Sequence, residues 1–193
     1  MKKTLFMLLS LLMSMTAMAQ QSDFSKAVAQ YKNAQTVTAS VVKTTHKNAV
    51  VNDVTAKGVL TMKKPASVSI VMDGGKDQLL MQGSKFTMMV KGKKFETSSE
   101  RNVQFVTFQA VFESILSGGD KDITKLSDLK MTKQGNLLTL TITPQPDSKK
   151  AAKRMMFSSF VMTIDAKTSE LKTLRMNERA GYTEYSFSNF QFK

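Results

Sequence analysis

Apolar and polar residues alternate along residues 54–97, in short runs that turn residues separate. In one run, Val68, Ile70 and Met72 occupy every second position, and the Gly74-Gly75 pair follows. Because neighbouring side chains of a strand point to opposite faces, this period predicts four or five strands with one apolar face. Glycine accepts the positive φ angles of tight turns, so the intervening segments favour hairpins and an antiparallel sheet.

In the rest of the chain, apolar residues recur either at helical spacing or at every second position. Helical spacing of apolar residues predicts helices at 22–34 and 102–117, the second ended by Gly118-Gly119. Period-two or β-branched runs predict further strands at 36–45, 129–132, 137–143, 156–165, 171–178 and 182–192. Residues 120–129 and 147–154 are predicted to be loops or short helical turns, and residues 46–53 a loop that leaves His46 in solvent.

The predicted order of elements along the chain is a helix, about six strands, a second helix and then about five strands. A single antiparallel sheet of that size is expected to curl into an incomplete β-barrel, or half-barrel. The two helices would then cover its apolar side. We predict that the apolar strand residues share one face and that the helix at 105–116 lies over it. Ordinary core packing explains the same pattern, and this alternative stays open at the level of sequence.

The amino-acid composition limits the kinds of site that the protein can contain. The 193 residues are 41% apolar, which is enough for one domain with a real core. Cysteine is absent and His46 is the single histidine, so no disulfide, thiolate metal site or cysteine nucleophile is expected. The carboxylates lie mostly near lysines, and the sequence holds no phosphate-binding loop or G-x-S-x-G elbow. We expect a protein that is not an enzyme and has no cofactor or metal.

The N-terminus resembles an export signal. Lys2 and Lys3 precede the apolar run 5–15, and Ala17-Met18-Ala19 fits a cleavage site. We predict a signal peptide at 1–19 and one mature, exported domain at 20–193. The formal net charge is +13, and without Lys2 and Lys3 it is +11. This charge favours anionic partners such as a lipid surface, lipopolysaccharide or an acidic protein face, whereas export argues against nucleic acid.

Several segments together resemble the periplasmic outer-membrane lipoprotein carrier family, LolA. Residues 58–65 (GVLTMKKP) are similar to the family's G-x-L-x-x-K-R-P strand, and an alternating apolar strand follows at 68–72. The helix 108–116 is similar to the family's mid-chain helix, and residues 181–189 to its closing strands. The resemblance spans almost the whole predicted mature chain.

The resemblance implies a half-barrel whose helices act as a lid over an apolar cavity for acyl chains. It also implies the partners: acylated lipoproteins, an inner-membrane ABC-type release complex and an outer-membrane acceptor, with the carrier as a monomer. On the matching positions, the lipid-binding residues are expected to be Leu60, Met62, Val68, Ile70, Met72, Leu79, Met81, Phe86, Met88, Phe105, Phe108, Phe112, Ile115, Leu116 and Met162.

Two positions depart from the family pattern, and one is Gln82, where the family has a turn aspartate. The arginine that ties lid to barrel in the family falls on Lys64. Lysine keeps the charge but loses the planar fork of donors. We predict that Lys64 is a lid latch that bonds carbonyls at a helix C-terminus, with Gly118-Gly119 as one candidate; a solvated lysine is the alternative. For the whole protein, the alternative function is a lipid- or glycolipid-binding or lipoprotein-sensing module of the same fold, and a lipid-processing enzyme is a third.

Overall fold

Eleven strands form one open antiparallel sheet in the computed structural model, which describes residues 19–193 except residue 91. The strand order is β6-β5-β4-β3-β2-β1-β11-β10-β9-β8-β7, so hairpin neighbours pair throughout and β1 pairs with β11 in the middle. The strands are β1 (Thr36–Lys47), β2 (Val54–Lys63), β3 (Ser67–Met72), β4 (Gln78–Gln82), β5 (Lys85–Val90), β6 (Lys93–Ser98), β7 (Leu129–Gln134), β8 (Leu137–Ile142), β9 (Ser159–Asp165), β10 (Glu170–Glu178) and β11 (Gly181–Phe192). The predicted fold class and the division into six and five strands are confirmed.

Few helices accompany the sheet. Helix α1 includes residues 19–27 and continues into a 3-10 turn at Ala29–Lys32. Helix α2 spans Val106–Leu116 after a 3-10 turn at Val103–Phe105. A short helix α3, Lys149–Arg154, begins at Ser148, whose Oγ accepts the N–H of Ala151 at 3.1 Å. Both long helices therefore form where predicted, each divided between α and 3-10 geometry.

The sheet must curl, because α2 contacts strands that are far apart in the strand order. The ring centroid of Phe108 lies 6.0 Å from Phe86 on β5 and 4.8 Å from Phe160 on β9. These strands are separated by seven inter-strand steps, which would span roughly 34 Å in a flat sheet at about 4.8 Å per step. Because one helix touches both strands, the sheet wraps around α2 as a half-barrel with its apolar face inside.

The two ends of the half-barrel differ. At the closed end, α1 and the 3-10 turn after it bury Phe24, Val28 and Tyr31, and the backbone of Gln35 bonds to residues 64 and 193. At the open end lie the loops 48–53, 73–77, 143–158 and 179–180 that join the other ends of the strands. The N–H of Asn48 bonds the carbonyl of Ala180 at 2.9 Å, which holds two of these loops together.

Some local predictions were wrong. Strand β1 continues to Lys47, so His46 is no loop residue: its ring stacks on Tyr182 at 5.0 Å and its Nδ1 lies 2.8 Å from Asp53 Oδ1. β9 begins three residues later than predicted, at Ser159.

Residues 120–128 form turns and bends without a helix, since the Asp122 carboxylate accepts the N–H and hydroxyl of Thr124. The predicted signal peptide falls outside the described residues except for Ala19. Among the helices of the described residues, none is long and apolar enough to cross a membrane.

Candidate lipid-binding site

The predicted lipid-binding residues come together in one apolar cluster on the inner face of the sheet and on α2. All of them are buried except Met88, which is half-buried at the edge of the cluster. Strand parity explains this arrangement: Leu60 pairs with Ile70, Met62 with Val68, and Met81 with Phe86, each pair on the same face. Their role in lipid binding stays a prediction.

Aromatic rings join α2 to the sheet. Phe105 stacks on Phe86 of β5 with ring centroids 4.5 Å apart, and Phe108 lies 4.8 Å from Phe160 of β9. Phe112 and Phe157 extend the cluster in two directions, at 4.8 Å from Phe108 and 5.3 Å from Phe160. Such pairs add to the free energy of apolar burial, so this part of the interior is densely held together.

A cavity of about 730 Å³ adjoins this cluster at the open end of the half-barrel. Its apolar walls come from Ala56, Met88, Val90, Phe95, Phe157 and Met176. Its polar lining includes Lys43, Thr45, Lys47, Asp77, Glu178 and Thr183. Met88 therefore belongs both to the predicted site and to the cavity, and Phe157 joins the cavity to the aromatic cluster. The volume is in the range of pockets that hold one drug-sized ligand.

Ion pairs support the polar side of the cavity. The Nζ of Lys43 donates to Asp77 Oδ2 at 2.8 Å, and its side chain is only 13% exposed. Lys47 makes a second pair with Glu178. Burial raises the pKa of the Tyr185 hydroxyl, and the negative charges of Asp77 and Glu178 raise that pKa further. Tyr185 is therefore a neutral phenol in this lining at physiological pH.

The polar lining is the part of the site that the sequence prediction missed. On β1, Val37, Ala39 and Val41 are buried, and the same face continues with Lys43 and Thr45. The apolar alternation gives no signal for these last residues, because lysine and threonine end it. Strand parity was the available signal: a strand that runs past the apolar core keeps every second side chain on the inner face.

Lys64 contacts the first helical segment. Its Nζ donates to the carbonyl oxygen of Lys32 at 2.5 Å, at the last residue of the 3-10 turn after α1. The sequence pointed to Gly118-Gly119 as a candidate partner, and Gly118 lies beside the same residue: a Cβ on Gly118 would be 2.5 Å from Lys32 Cβ. The bond thus joins the end of β2 to α1 next to the end of α2. The latch role of Lys64 stays a prediction.

The two ends of α2 are held differently. At its C-terminus, Gly119 has a φ of +83° and its carbonyl accepts Ser25 Oγ and Gln21 Nε2, both at 3.0 Å. At its N-terminus the helix has no side-chain cap. There the fully buried Gln104 accepts the N–H of Phe157 at 3.0 Å, while its Nε2 has no hydrogen-bond partner. The unsatisfied donor costs about 1–3 kcal/mol, at the same end of α2 where the aromatic cluster and a bond from Thr107 Oγ1 to Asp128 Oδ1 at 2.5 Å hold the helix.

Titratable groups do not gather into a metal-binding cluster in the described part of the chain. Glu113 is the charged residue of α2, the helix that covers the inner face of the sheet. Burial raises the pKa of its carboxyl, but hydrogen bonds from Lys121 and Gln109 outweigh burial and hold that pKa below its ordinary value. Glu113 is thus a charged group that fixes the outer side of α2, and it lies away from the cavity lining.

Comparisons with known proteins identify a family for the chain. Residues 32–193 match the family model of the outer membrane lipoprotein carrier protein LolA. No curated protein matches the chain.

Solved structures similar to the chain include a LolA superfamily protein from Nitrosomonas europaea, at 9% identity and a TM-score of 0.40 over 90% of this chain and 93% of that one. Lipoprotein LppX from Mycobacterium tuberculosis is 13% identical, with a TM-score of 0.39 over 89% and 94% of the two chains. Because the family match covers most of its length, the chain belongs to the LolA family of outer membrane lipoprotein carrier proteins.

Proposed function

We propose that this protein is a periplasmic carrier that holds the acyl chains of lipoproteins in its half-barrel and moves them from the inner to the outer membrane. The observation that carries the proposal is the cavity of about 730 Å³, which continues the apolar inner face of the sheet beyond α2. In this proposal an inner-membrane ABC-type complex loads the carrier and an outer-membrane acceptor unloads it. The mature domain starts at Gln20, which N-terminal sequencing of the exported protein would check.

The chemistry of the inner face suits a cargo that must be released again. Burial of acyl chains contributes about 0.8 kcal/mol per methylene group, so a deep, complete pocket for several chains would bind them almost irreversibly. Met62, Met72, Met81 and Met88 line the sheet under and beside α2. Their flexible thioether side chains adapt to irregular chains without a rigid fit.

Movement of α2 would enlarge the site. The cavity alone has room for one small ligand, whereas the residues under α2 are already packed against it. In our proposal, the uncapped N-terminal end of α2 moves away from Phe157 and Phe160, and the incoming chain replaces the aromatic contacts. The C-terminal end stays at α1, where Gly118 and Gly119 fit against Lys32 and Ser25. We further propose that the protein is a monomer that binds and releases cargo without catalysis.

Extraction of a triacylated lipopeptide from detergent micelles, which needs no loading complex, would test the proposal. The purified protein is expected to elute from a sizing column as a complex with the lipopeptide. Met88→Lys places a charge on the inner face at the junction of cavity and cluster, and we expect it to lower extraction about tenfold or more because an acyl chain would have to desolvate the ammonium group. Thr87→Lys is the matched control, since residue 87 is on the opposite face of the same strand.

Each possible outcome tests a different part of the proposal. Equal extraction by Met88→Lys and the unchanged protein would contradict binding of acyl chains at the inner face. Normal binding of the lipopeptide without delivery to acceptor vesicles would favour the alternative, a lipoprotein-sensing or lipid-binding module. Cleavage of the lipopeptide, detected as free fatty acid, would contradict the non-enzymatic part of the proposal.

A further inference from the structure

Apolar side chains surround the opening of the cavity and face solvent. Val50, Val54, Val90, Phe95 and Met156 line the cavity and are each at least 37% exposed. Val51, in the same loop as Val50, is 97% exposed. We call these six residues the rim. A contiguous exposed apolar patch of this kind marks an interaction surface rather than ordinary surface composition.

Cations lie next to the rim. Helix α3 carries Lys149, Lys150, Lys153 and Arg154, all exposed, and it leads directly into Met156. Arg179 fixes α3 to the β10–β11 turn through a 3.1 Å bond from its Nη2 to the carbonyl of Ala152. Asp147 precedes the helix, whose first turn contains no acidic residue. The basic helix is therefore held at the open end, beside the apolar rim.

Three acidic residues at this end form ion pairs with lysines. Asp77 pairs with Lys43 and Glu178 with Lys47, both in the cavity lining. On β6, Glu96 pairs with Lys94 at 2.7 Å. The other acidic residues near the opening include Asp53, whose Oδ1 lies 2.8 Å from His46 Nδ1, and Asp147, which precedes α3. The four cations of α3 outnumber these two carboxylates, so the field around the opening stays positive. A second copy of the chain would bring two such helices together, so like-charge repulsion argues against self-association through the rim.

We propose that the open end docks on an anionic lipid bilayer, with the rim inserted at the level of the headgroups and α3 against lipid phosphates. Each Lys or Arg near an anionic surface contributes about 1 kcal/mol, and exposed apolar side chains add burial in the interface. Docking in this orientation brings the mouth of the cavity to the membrane surface, so a chain can pass between bilayer and cavity without crossing water. The proposal concerns the surface alone and does not depend on which cargo the cavity holds.

Vesicle co-sedimentation of the purified, cargo-free protein tests the docking surface. We expect binding to vesicles that contain phosphatidylglycerol and none to vesicles of pure phosphatidylcholine. Lys149→Glu with Lys150→Glu is expected to lower binding to anionic vesicles about tenfold or more. Val50→Asp with Val51→Asp is expected to lower it to a similar extent, because both insertion and charge then oppose docking.

Matched controls keep the proposal falsifiable. Val42 and Val59 are exposed apolar residues on the outer face of β1 and β2, and Val59 is 53% exposed, as is Val50. Val42→Asp with Val59→Asp, and Lys26→Glu with Lys85→Glu, change charge equally but away from the open end, since Lys26 lies on α1 and Lys85 begins β5 at the closed end, and we expect less than about twofold loss of binding. The proposal is overturned if the unchanged protein does not bind anionic vesicles, or if the control variants lose binding as much as the rim and α3 variants. Loss of docking with intact lipopeptide extraction from detergent would leave the proposed carrier function standing.

Discussion

The inner face of the sheet is covered by α2 along one part of its length and lines a cavity along the other, although the same strands build both parts. On β1, Val41 is buried, and Lys43, two residues later on the same face, takes part in an ion pair in the cavity lining. On β5, Phe86 lies within the aromatic cluster whereas Met88 is half-buried at the cavity. The strand register is continuous across this boundary, so the difference comes from the presence of α2 and not from the sheet.

This difference explains how one small domain can be stable and still have room for a ligand. The covered part supplies dense apolar packing, which stabilises the curled sheet. The open part tolerates polar and exposed apolar residues because solvent reaches them and ion pairs compensate the charges. A carrier needs both properties, and the boundary between them lies at Met88 and Phe157.

Truncation of one aromatic ring in the covered part and one in the open part is expected to give the largest difference in the free energy of unfolding. Phe108→Ala removes a buried ring that contacts both β5 and β9, and we expect a loss of about 3–5 kcal/mol in the free energy of unfolding. Phe95→Ala removes a ring that is 49% exposed at the rim, and a loss below about 1 kcal/mol is expected. Chemical denaturation measures both. Similar losses would mean that the two parts do not differ in packing.

Glycine substitutions at the closed and open ends of the half-barrel are expected to show a smaller difference in stability. Gly119→Ala places a Cβ 2.6 Å from Ser25 Cα on α1, at a φ of +83°. Gly92→Ala has the same kind of strain, with a φ of +77°, but its Cβ would meet no atom within 4 Å. Both variants pay about 1 kcal/mol for the left-handed backbone, and Gly119→Ala is expected to lose about 1–2 kcal/mol more from the clash. Thermal unfolding that ranks Gly92→Ala as the less stable variant would contradict close packing of α1 on the end of α2.

A substitution at the predicted latch tests whether a contact at the closed end affects how the protein takes up and releases lipopeptide. Lys64→Leu removes the bond from Nζ to the Lys32 carbonyl, and a change of about threefold to tenfold in lipopeptide uptake or release is expected, with the fold intact. Lys63→Leu is the matched control in the same basic run. Stopped-flow transfer from detergent micelles provides the measurement. If both variants shift transfer equally little, Lys64 has no latch role.

Acid should weaken the outer side of α2 only slightly. Because hydrogen bonds from Lys121 and Gln109 hold the pKa of Glu113 below its ordinary value, its contribution to stability is present above that value and is lost as the pH falls through the lowered pKa. Between about pH 7 and about pH 3, Glu113→Gln should therefore lose less stability than the unchanged protein, by under about 1 kcal/mol. Equal losses in the two proteins would show that Glu113 does not stabilise α2.

The fold was largely predictable from local pattern. Period-two alternation in residues such as Val68, Ile70 and Met72 fixed which side chains share a face, and positive-φ glycines such as Gly118 and Gly119 fixed where the elements end. The ends of strands were less predictable, because Lys47 and His46 extend β1 by pairing with Gly181 and Tyr182 of β11, a partner far away in sequence. The start of β9 depends in the same way on its pairing with β8 and β10.

The site was predictable only in part. Residues such as Leu60 and Phe108 are brought together as the apolar period implies. The sequence does not show how far α2 reaches along the half-barrel, since that depends on tertiary contacts such as Phe108 with Phe160. Consequently the cavity lies beside most of the predicted residues, and its polar lining, with Lys43 and Glu178, had no signature in composition or spacing.

In the proposed function, acylated cargo occupies the inner face of the half-barrel in the cell. Native mass spectrometry of the protein, purified without detergent from the envelope of producing cells, would detect this cargo. We expect a population with bound mass that dissociates as acylated lipoprotein, and a reduced population for Met88→Lys but not for Thr87→Lys. Recovery of the protein with no acylated species, or with the same bound mass in all three proteins, would contradict it.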